Sequence, residues 1–179
     1  LGSLWTSRIS SHIPLKNAAE YVTQPRIVAA SQLIYDSLKL AGIDKPRVAV
    51  AAFNPHGGEG GTCGSEEIEI IAPAVARARG EGMRARGPEP ADTLFHSAAR
   101  QTYDAAICMY HDQALVPLKT LDFRRGVNIT LGLPFVRTSP DHGTALDIAG
   151  TGTADPASLI AAIKTSFEIA RARARRAAP

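Results

Sequence analysis

The sequence is poor in cysteine and has no long apolar run, and each shortage excludes a class of protein. Its two cysteines, Cys63 and Cys108, cannot build a disulfide framework and are typical of a reducing compartment. No apolar run approaches the about 20 residues that cross a bilayer, and the first residues lack the apolar core of a signal peptide. We therefore expect a cytoplasmic protein with no membrane partner.

Aromatic residues are also scarce, at 6% of the chain, and they are not interleaved with its arginines. Because a nucleic-acid surface commonly combines the two, we expect no nucleic-acid partner despite the formal net charge of +3. Hydrophobic residues at 45% and charged residues at 21% are ordinary for a globular protein. A length of 179 residues is sufficient for a proper hydrophobic core.

Short apolar runs alternate with longer segments of helical periodicity, which predicts an α/β fold with a largely parallel or mixed sheet. The predicted strands are residues 47–53, 105–110, 127–131 and 135–138, with a possible further strand at 4–10. The predicted helices are residues 27–40, 65–79 and 156–173. In such folds ligands bind beyond the carboxyl ends of the strands.

Three histidines lie just past predicted strands. His12 follows the possible first strand, His56 follows the strand at 47–53, and His111 follows the strand at 105–110. Neutral imidazoles at one sheet edge would form a metal site with positions left open for substrate oxygens. Asp112 could orient the imidazole of His111. The alternative for each histidine is a core residue whose polar atoms find hydrogen bonds.

The segment around His56, residues 54–61, contains four glycines. Glycines free the backbone for positive φ and for close approach to a ligand, and the helix predicted to follow would present N–H groups to an anion. The segment matches neither the Rossmann fingerprint nor the Walker A pattern, so neither is inferred. A flexible connection is the alternative interpretation.

Two further groups of polar residues follow. Lys119, Asn128 and Arg137 combine two cations with an amide, which suits a phosphate together with a carboxylate, although surface cations would look the same. The small-residue loop at 139–150 could wrap an adenosine through backbone groups and a stacking imidazole, or be an ordinary turn.

Taken together, these motifs occur in an order that resembles the 4-hydroxythreonine-4-phosphate dehydrogenase family. They are Asn54-Pro55-His56 with its glycines and residues 109–113, 125–134 and 137–144. The resemblance runs from about residue 11 to the last helix. It implies an isocitrate and isopropylmalate dehydrogenase-like fold, with a mixed sheet flanked by helices and with the N-terminal part of the family fold absent.

The resemblance also implies roles for individual residues. His12, His56 and His111 match the ligands of a divalent metal, which could be zinc, magnesium or cobalt. The substrate would contact Lys119, Asn128 and Arg137, and Asp112 and Lys119 are the candidates for the catalytic base. The predicted NAD or NADP site comprises Asp141, His142, Gly143, Thr144 and Asp147.

The implied reaction is NAD-dependent oxidation of 4-phosphooxy-L-threonine, with decarboxylation to an amino-hydroxyacetone phosphate, in vitamin B6 (pyridoxal phosphate) biosynthesis. The family forms homodimers whose active sites use residues of both subunits. We expect the chain to lack the family's N-terminal portion, either as a fragment or as a truncated product. Residues 1–147 would then bind metal and substrate, and a helix within 148–179 would pack on the missing domain.

Three other functions are compatible with these residues. The chain could be a metal- and anion-binding fragment without turnover, or a dehydrogenase of a related four-carbon sugar-acid phosphate such as a threonate or erythronate phosphate. A zinc hydrolase could use the three histidines, but the cation set and the adenosine-like loop would then be superfluous.

Residues 5–10 are also more polar than the buried strand expected before His12.

Overall fold

Strands and helices alternate along the chain in the computed structural model, which describes residues 4–99 and 101–177. The strands are β1 (Trp5–Arg8), β2 (Arg47–Ala51), β3 (Arg84–Glu89), β4 (Ala105–Cys108), β5 (Val127–Thr130) and β6 (Arg137–Pro140). The helices are α1 (Ala18–Tyr21), α2 (Gln24–Leu40), α3 (Ala72–Gly80), α4 (Ala91–Ala99), α5 (His111–Asp122) and α6 (Ala157–Ala177). The α/β class is confirmed. The outer ends of both predicted domains, residues 1–3 and 178–179, lie outside the described part.

Four strands form one parallel sheet in the order β1-β4-β2-β3. The register places Val48 of β2 and Trp5 of β1 on either side of Ala105 of β4. The other two strands, β5 and β6, form a separate antiparallel hairpin. Among the described residues, the parallel strands therefore form one sheet and the antiparallel strands form another.

The two central strands of the parallel sheet are buried on both faces. On one face Val48 and Val50 join a core cluster with α2 and α3, which includes Ile34 and Val75. On the other face the small residues of the same strands pack against α4 and α5; these are Ala49, Ala51, Ala106 and Cys108. Helices on both faces are what a parallel sheet requires, because neither face can be left to solvent.

The polar character of residues 5–10 is explained by the position of β1. All four residues of β1 are only half-buried, because this strand lies at one edge of the four-stranded sheet. It still pairs in parallel with β4, Arg8 opposite Cys108. The segment that carries His12 therefore leaves the sheet at the same edge as the segment that carries His111.

Some elements differ from the sequence-based expectation. Residues 84–89 have few β-branched or large apolar side chains but form β3, because their backbone pairs with β2. Helix α4 also went unpredicted, and α5 begins directly at His111. Strand β6 begins at Arg137, two residues after the predicted start.

Helix α6 packs on the β5–β6 hairpin. Its Ser158 Oγ donates to the carbonyl of Gly126 at 2.8 Å, and Thr138 Oγ1 donates to the carbonyl of Ala162 at 2.9 Å. The opposite face of α6 exposes four large apolar side chains, Leu159, Ile160, Ile163 and Phe167. The predicted division at residue 147 and the packing of this helix on a further domain stay predictions. Of the helices described, none is long and apolar enough to span a membrane.

Candidate active site

Two of the predicted metal ligands meet at the carboxyl edge of the parallel sheet. The ring centroids of His12 and His111 are 5.5 Å apart. This separation is close to the roughly 5 Å expected for two imidazoles bound at about 2.0–2.1 Å to one tetrahedral ion. The sheet register creates the pair, because β1 and β4 are neighbours whose chains leave the sheet at the same edge.

In two of the predicted ligands, His56 and His111, the ring nitrogen Nδ1 is hydrogen-bonded to a neighbouring carboxylate. His111 Nδ1 lies 2.6 Å from Asp112 Oδ1, and His56 Nδ1 lies 2.6 Å from Glu59 Oε1. When Nδ1–H donates to a carboxylate, the lone pair of Nε2 is available for a ligand, which is the usual arrangement of metal-binding histidines. The Glu59 hydrogen bond and charge also raise the pKa of His56 above its ordinary value.

The turn that carries His56 has an unusual backbone. In Pro55–Gly61, five consecutive residues have φ between 45° and 80°, namely residues 56–60. Two of these, His56 and Glu59, are not glycine, and each such residue costs about 1–3 kcal/mol unless its surroundings compensate. His12 also has a positive φ, 53°. Such conformations are concentrated at functional sites.

The structure does not assemble three histidines into one site. Across residues 4–99 and 101–177, no group of three or more histidine, cysteine or acidic side chains is placed to hold a metal ion. His12 and His111 are neighbours, whereas His56 pairs with Glu59 outside a common ligand group. The three-histidine metal site stays a prediction, and the pair is the part that the fold brings together.

A buried carboxylate fixes the start of the His56 turn. Glu67 is 2% exposed, and its Oε1 accepts from the backbone N–H groups of Phe53 and Asn54, both at 2.7 Å. Its Oε2 accepts from Asn54 Nδ2 at 2.9 Å. Burial alone would raise the pKa of Glu67, but the hydrogen bonds from Asn54 and Phe53 outweigh it and lower that pKa.

The backbone of Met109, at the end of β4, has two buried side-chain partners. Met109 N–H donates to Gln113 Oε1 at 2.7 Å, and Gln113 Nε2 donates to the carbonyl of Ala52 at 2.8 Å. Ser10 Oγ donates to the carbonyl of Met109 at 2.9 Å. The ends of β1, β4 and β2 are therefore linked to one another just before the three histidines.

A groove of about 910 Å³ lies between β1, α5, β5 and α6. Lys119, Asn128 and Asp141 of the predicted binding residues line it, with Lys164 opposite on α6. The ammonium of Lys119 lies 5.6 Å from the centre of the Phe123 ring. The groove is also lined by Arg8 and Arg125 and by three carboxylates, those of Asp122, Asp141 and Glu168. Its cations outnumber its carboxylates, and cations beside an amide can bind an anion such as a phosphate.

The remaining predicted binding residues lie outside the lining of this groove. Arg137 is exposed, and its Nη1 donates to Thr130 Oγ1 at 2.7 Å across the β5–β6 pair. The loop from His142 to Asp147 is exposed throughout, with His142 Nδ1 2.8 Å from the carbonyl of Gly143. Both the anion role of Arg137 and the adenosine role of the loop stay predictions.

Comparison with known proteins decides the family. The family model described as pyridoxal phosphate biosynthetic protein PdxA matches residues 1–166. The chain belongs to the PdxA family. A protein of Caulobacter vibrioides named 4-hydroxythreonine-4-phosphate dehydrogenase is 56% identical over 173 residues, which are 96% of this chain and 52% of that protein. The chain spans about half the length of the curated relatives it matches.

Solved structures similar to this chain have the same fold. The 4-hydroxythreonine-4-phosphate dehydrogenase of Klebsiella pneumoniae is 47% identical with a TM-score of 0.84, over 92% of this chain and 50% of that one. A terephthalate 1,2-cis-dihydrodiol dehydrogenase of Burkholderia xenovorans is 34% identical with a TM-score of 0.75, over 93% of this chain and 53% of that one. The fold is therefore shared by proteins whose names give different substrates.

Sequence reasoning did not identify the buried polar residues at this edge of the PdxA fold. The acidic residues Glu66, Glu67 and Glu69 suit the start of the helix predicted at 65–79, and Glu67 does lie in the first turn of a helix. That its carboxylate is buried against the His56 turn was not predicted. A usable indication was present. Glu67 is in helical register with apolar residues that are all buried, namely Ile71, Ala74, Val75 and Ala78.

Proposed function

We propose that the chain is part of a dehydrogenase that oxidises the secondary hydroxyl of 4-phosphooxy-L-threonine with NAD or NADP. Hydride passes to the nicotinamide, the hydroxyl proton passes to a base, and the β-keto acid loses carbon dioxide to give an amino-hydroxyacetone phosphate. Membership of the PdxA family supports this reaction. The observation that carries it is the His12–His111 pair, 5.5 Å apart at the ligand-binding edge of a parallel sheet.

The donor set fits a divalent ion such as zinc, magnesium or cobalt. His12 and His111 would hold it, with Asp112 keeping the His111 ring in the required tautomer through the 2.6 Å contact at Nδ1. When bound, such an ion lowers the pKa of a hydroxyl and polarises the ketone that forms. His56 is the third predicted ligand, on a turn that the fold keeps in a defined conformation.

The chain's own residues supply binding and orientation. Lys119 and Asn128 would hold the phosphate and carboxylate in the groove beside β1 and α5. Holding these distant groups positions the reacting carbon, which is how remote binding contributes to rate. Asp112 and Lys119 are the candidate bases, and the loop at Asp141–Gly143, Thr144 and Asp147 would bind the adenosine of the cofactor.

We further propose that the working enzyme is a cytoplasmic homodimer with a shared active site. Among the described residues His56 does not join the other two histidines in a ligand group. A site built from two copies would resolve this, because one copy could provide the pair and the other His56. Closed two-fold dimers are the commonest soluble assemblies.

The test measures NADH formation and metal binding by the chain and its variants. His111→Ala should abolish metal-dependent turnover and weaken Co²⁺ binding by more than the about 10–100-fold typical of losing an outer contact, with the fold preserved. His96→Ala is the matched control, since His96 is exposed on α4. Full activity of His111→Ala would exclude this residue from the mechanism.

The phosphate contact is tested separately at Arg137. Arg137→Lys keeps the charge but cannot make a bidentate contact with a phosphate, so substrate affinity should fall. Isothermal titration with the phosphorylated substrate measures this without requiring turnover. An unchanged affinity would leave Arg137 as a surface cation paired with Thr130.

Two alternatives make different predictions in these assays. A metal- and anion-binding fragment would bind Co²⁺ and phosphate but form no NADH, and the chain's span of about half its relatives favours testing for this. A dehydrogenase of a related four-carbon sugar-acid phosphate would oxidise threonate or erythronate phosphate faster than 4-phosphooxy-L-threonine. The dihydrodiol dehydrogenase with the same fold shows that the substrate named can differ among relatives.

A further inference from the structure

Two carboxylates, half-buried Asp104 and buried Glu67, fix the two ends of strand β2. At its start Asp104 accepts from Arg47, with Oδ2 2.7 Å from the backbone N and Oδ1 2.8 Å from Nη2. At its exit Glu67 accepts from Phe53, Asn54 and the Asn54 side chain. The start of β2 is at the opposite end of the strand from the histidines. Phe53 and Asn54, which follow the other end, lead directly into the turn at Pro55–Gly61 that carries His56.

We propose that Glu67 is a positioning residue, which holds the His56 turn in its left-handed conformation and so sets where His56 can meet a ligand. This inference rests on the proposed function only for what the ligand is. A helix N-terminal acid would point its carboxylate at solvent or at its own helix. The carboxylate of Glu67 accepts from its own helix backbone and also reaches across to Phe53 and Asn54, which lie between β2 and the turn.

The turn also contacts Glu67 directly through Gly58. A Cβ built on Gly58 would lie 2.7 Å from Glu67 Oε2 and 3.0 Å from the carbonyl of Gly64. Gly58 is buried, with φ 80°, so the turn closes over the carboxylate at this glycine. The neighbouring Gly57 has a similar φ of 68° and no atom within 4 Å of a built Cβ. The two glycines therefore share a left-handed backbone, and only Gly58 contacts Glu67.

Hydrogen exchange in the metal-free chain tests the proposal. Glu67→Gln places an amide N–H₂ against Asn54 Nδ2, which then loses its hydrogen bond to residue 67 and keeps only the one to Glu66 Oε2 at 2.6 Å. We expect the amides of residues 53–64 to exchange at least about tenfold faster, with the rest of the sheet unchanged. Asp104→Asn is the control, because it weakens a half-buried carboxylate contact at the other end of β2, away from the turn.

The glycine pair provides a second comparison that leaves Glu67 in place. Gly58→Ala should increase exchange in residues 53–64 well beyond Gly57→Ala, since both place alanine at a positive φ and only the first crowds the Glu67 carboxylate, together with the Gly64 carbonyl. If Glu67→Gln does not fold, this pair decides the question. Equal effects of the two glycine variants, or a Glu67→Gln effect spread evenly over the chain, would overturn the proposal.

Co²⁺ titration separates this inference from the proposed function. In a chain that binds cobalt, Glu67→Gln should weaken binding by about 10–100-fold, as loss of an outer partner of a metal ligand does, while Asp104→Asn should not. An unchanged cobalt affinity in Glu67→Gln would overturn the role of Glu67 at His56. If the wild-type chain binds no cobalt, the metal site fails, and the exchange comparison still decides whether Glu67 positions the turn.

Discussion

Replacing Gln113 by leucine should destabilise the sheet edge that carries the histidines. The side-chain amide of Gln113 accepts from Met109 N–H at 2.7 Å and donates to the carbonyl of Ala52 at 2.8 Å. Gln113 is 8% exposed and Met109 is fully buried. Leucine has a similar volume but no polar atom, so Gln113→Leu leaves a backbone donor and a backbone acceptor without partners.

The expected loss follows from these two groups. An unsatisfied buried donor or acceptor costs about 1–3 kcal/mol, so two cost about 2–6 kcal/mol before any compensation. Burying the apolar leucine side chain offsets about 1–2 kcal/mol of this. We therefore expect the free energy of unfolding to fall by about 1–4 kcal/mol.

Urea unfolding followed by circular dichroism at fixed protein concentration measures the change. Gln32→Leu is the matched control, because Gln32 Nε2 donates only to Asp36 in a solvent-facing pair on α2. That control should change stability by less than about 0.5 kcal/mol. If Gln113→Leu is as stable as Gln32→Leu, the amide does not join the ends of β4 and β2 as described.

Two further predictions concern pH and self-association. Because the folded protein holds the pKa of Glu67 and Asp104 below their ordinary values of 4.5 and 3.8, each carboxylate stabilises the fold above its unfolded pKa, and this stability is lost as the pH falls through the folded pKa. In urea unfolding, the free energy of unfolding of Glu67→Gln should therefore fall less than that of wild type between about pH 6 and about pH 3. An equal fall in both proteins would contradict an ionised, hydrogen-bonded Glu67 carboxylate. On α6 the exposed side chains of Leu159, Ile163 and Phe167 predict that the chain self-associates, so sedimentation velocity should show a dimer or larger species that Phe167→Ser weakens. A wild-type chain that sediments as a monomer at high concentration would refute this.

The sequence by itself determined the fold class and the positions of the central strands. Strands β2, β4 and β5 lie within their predicted ranges, because buried parallel strands and hairpin strands are locally apolar and β-branched. The family could also be inferred from the sequence, since the motifs around His56, His111 and Arg137 are local and ordered. The position of each histidine after a strand is likewise local information.

Only the tertiary structure decided which residues meet. The backbone of β3 forms a strand because it pairs with β2, and the polar β1 is tolerated because it lies at the sheet edge, where its residues stay partly exposed. Likewise His12 and His111 become neighbours through the parallel register of β1 with β4, which no spacing along the chain specifies. Glu67 is the clearest case, because a buried carboxylate needs partners, and here the backbone N–H groups of Phe53 and Asn54 converge on it only after the chain has folded.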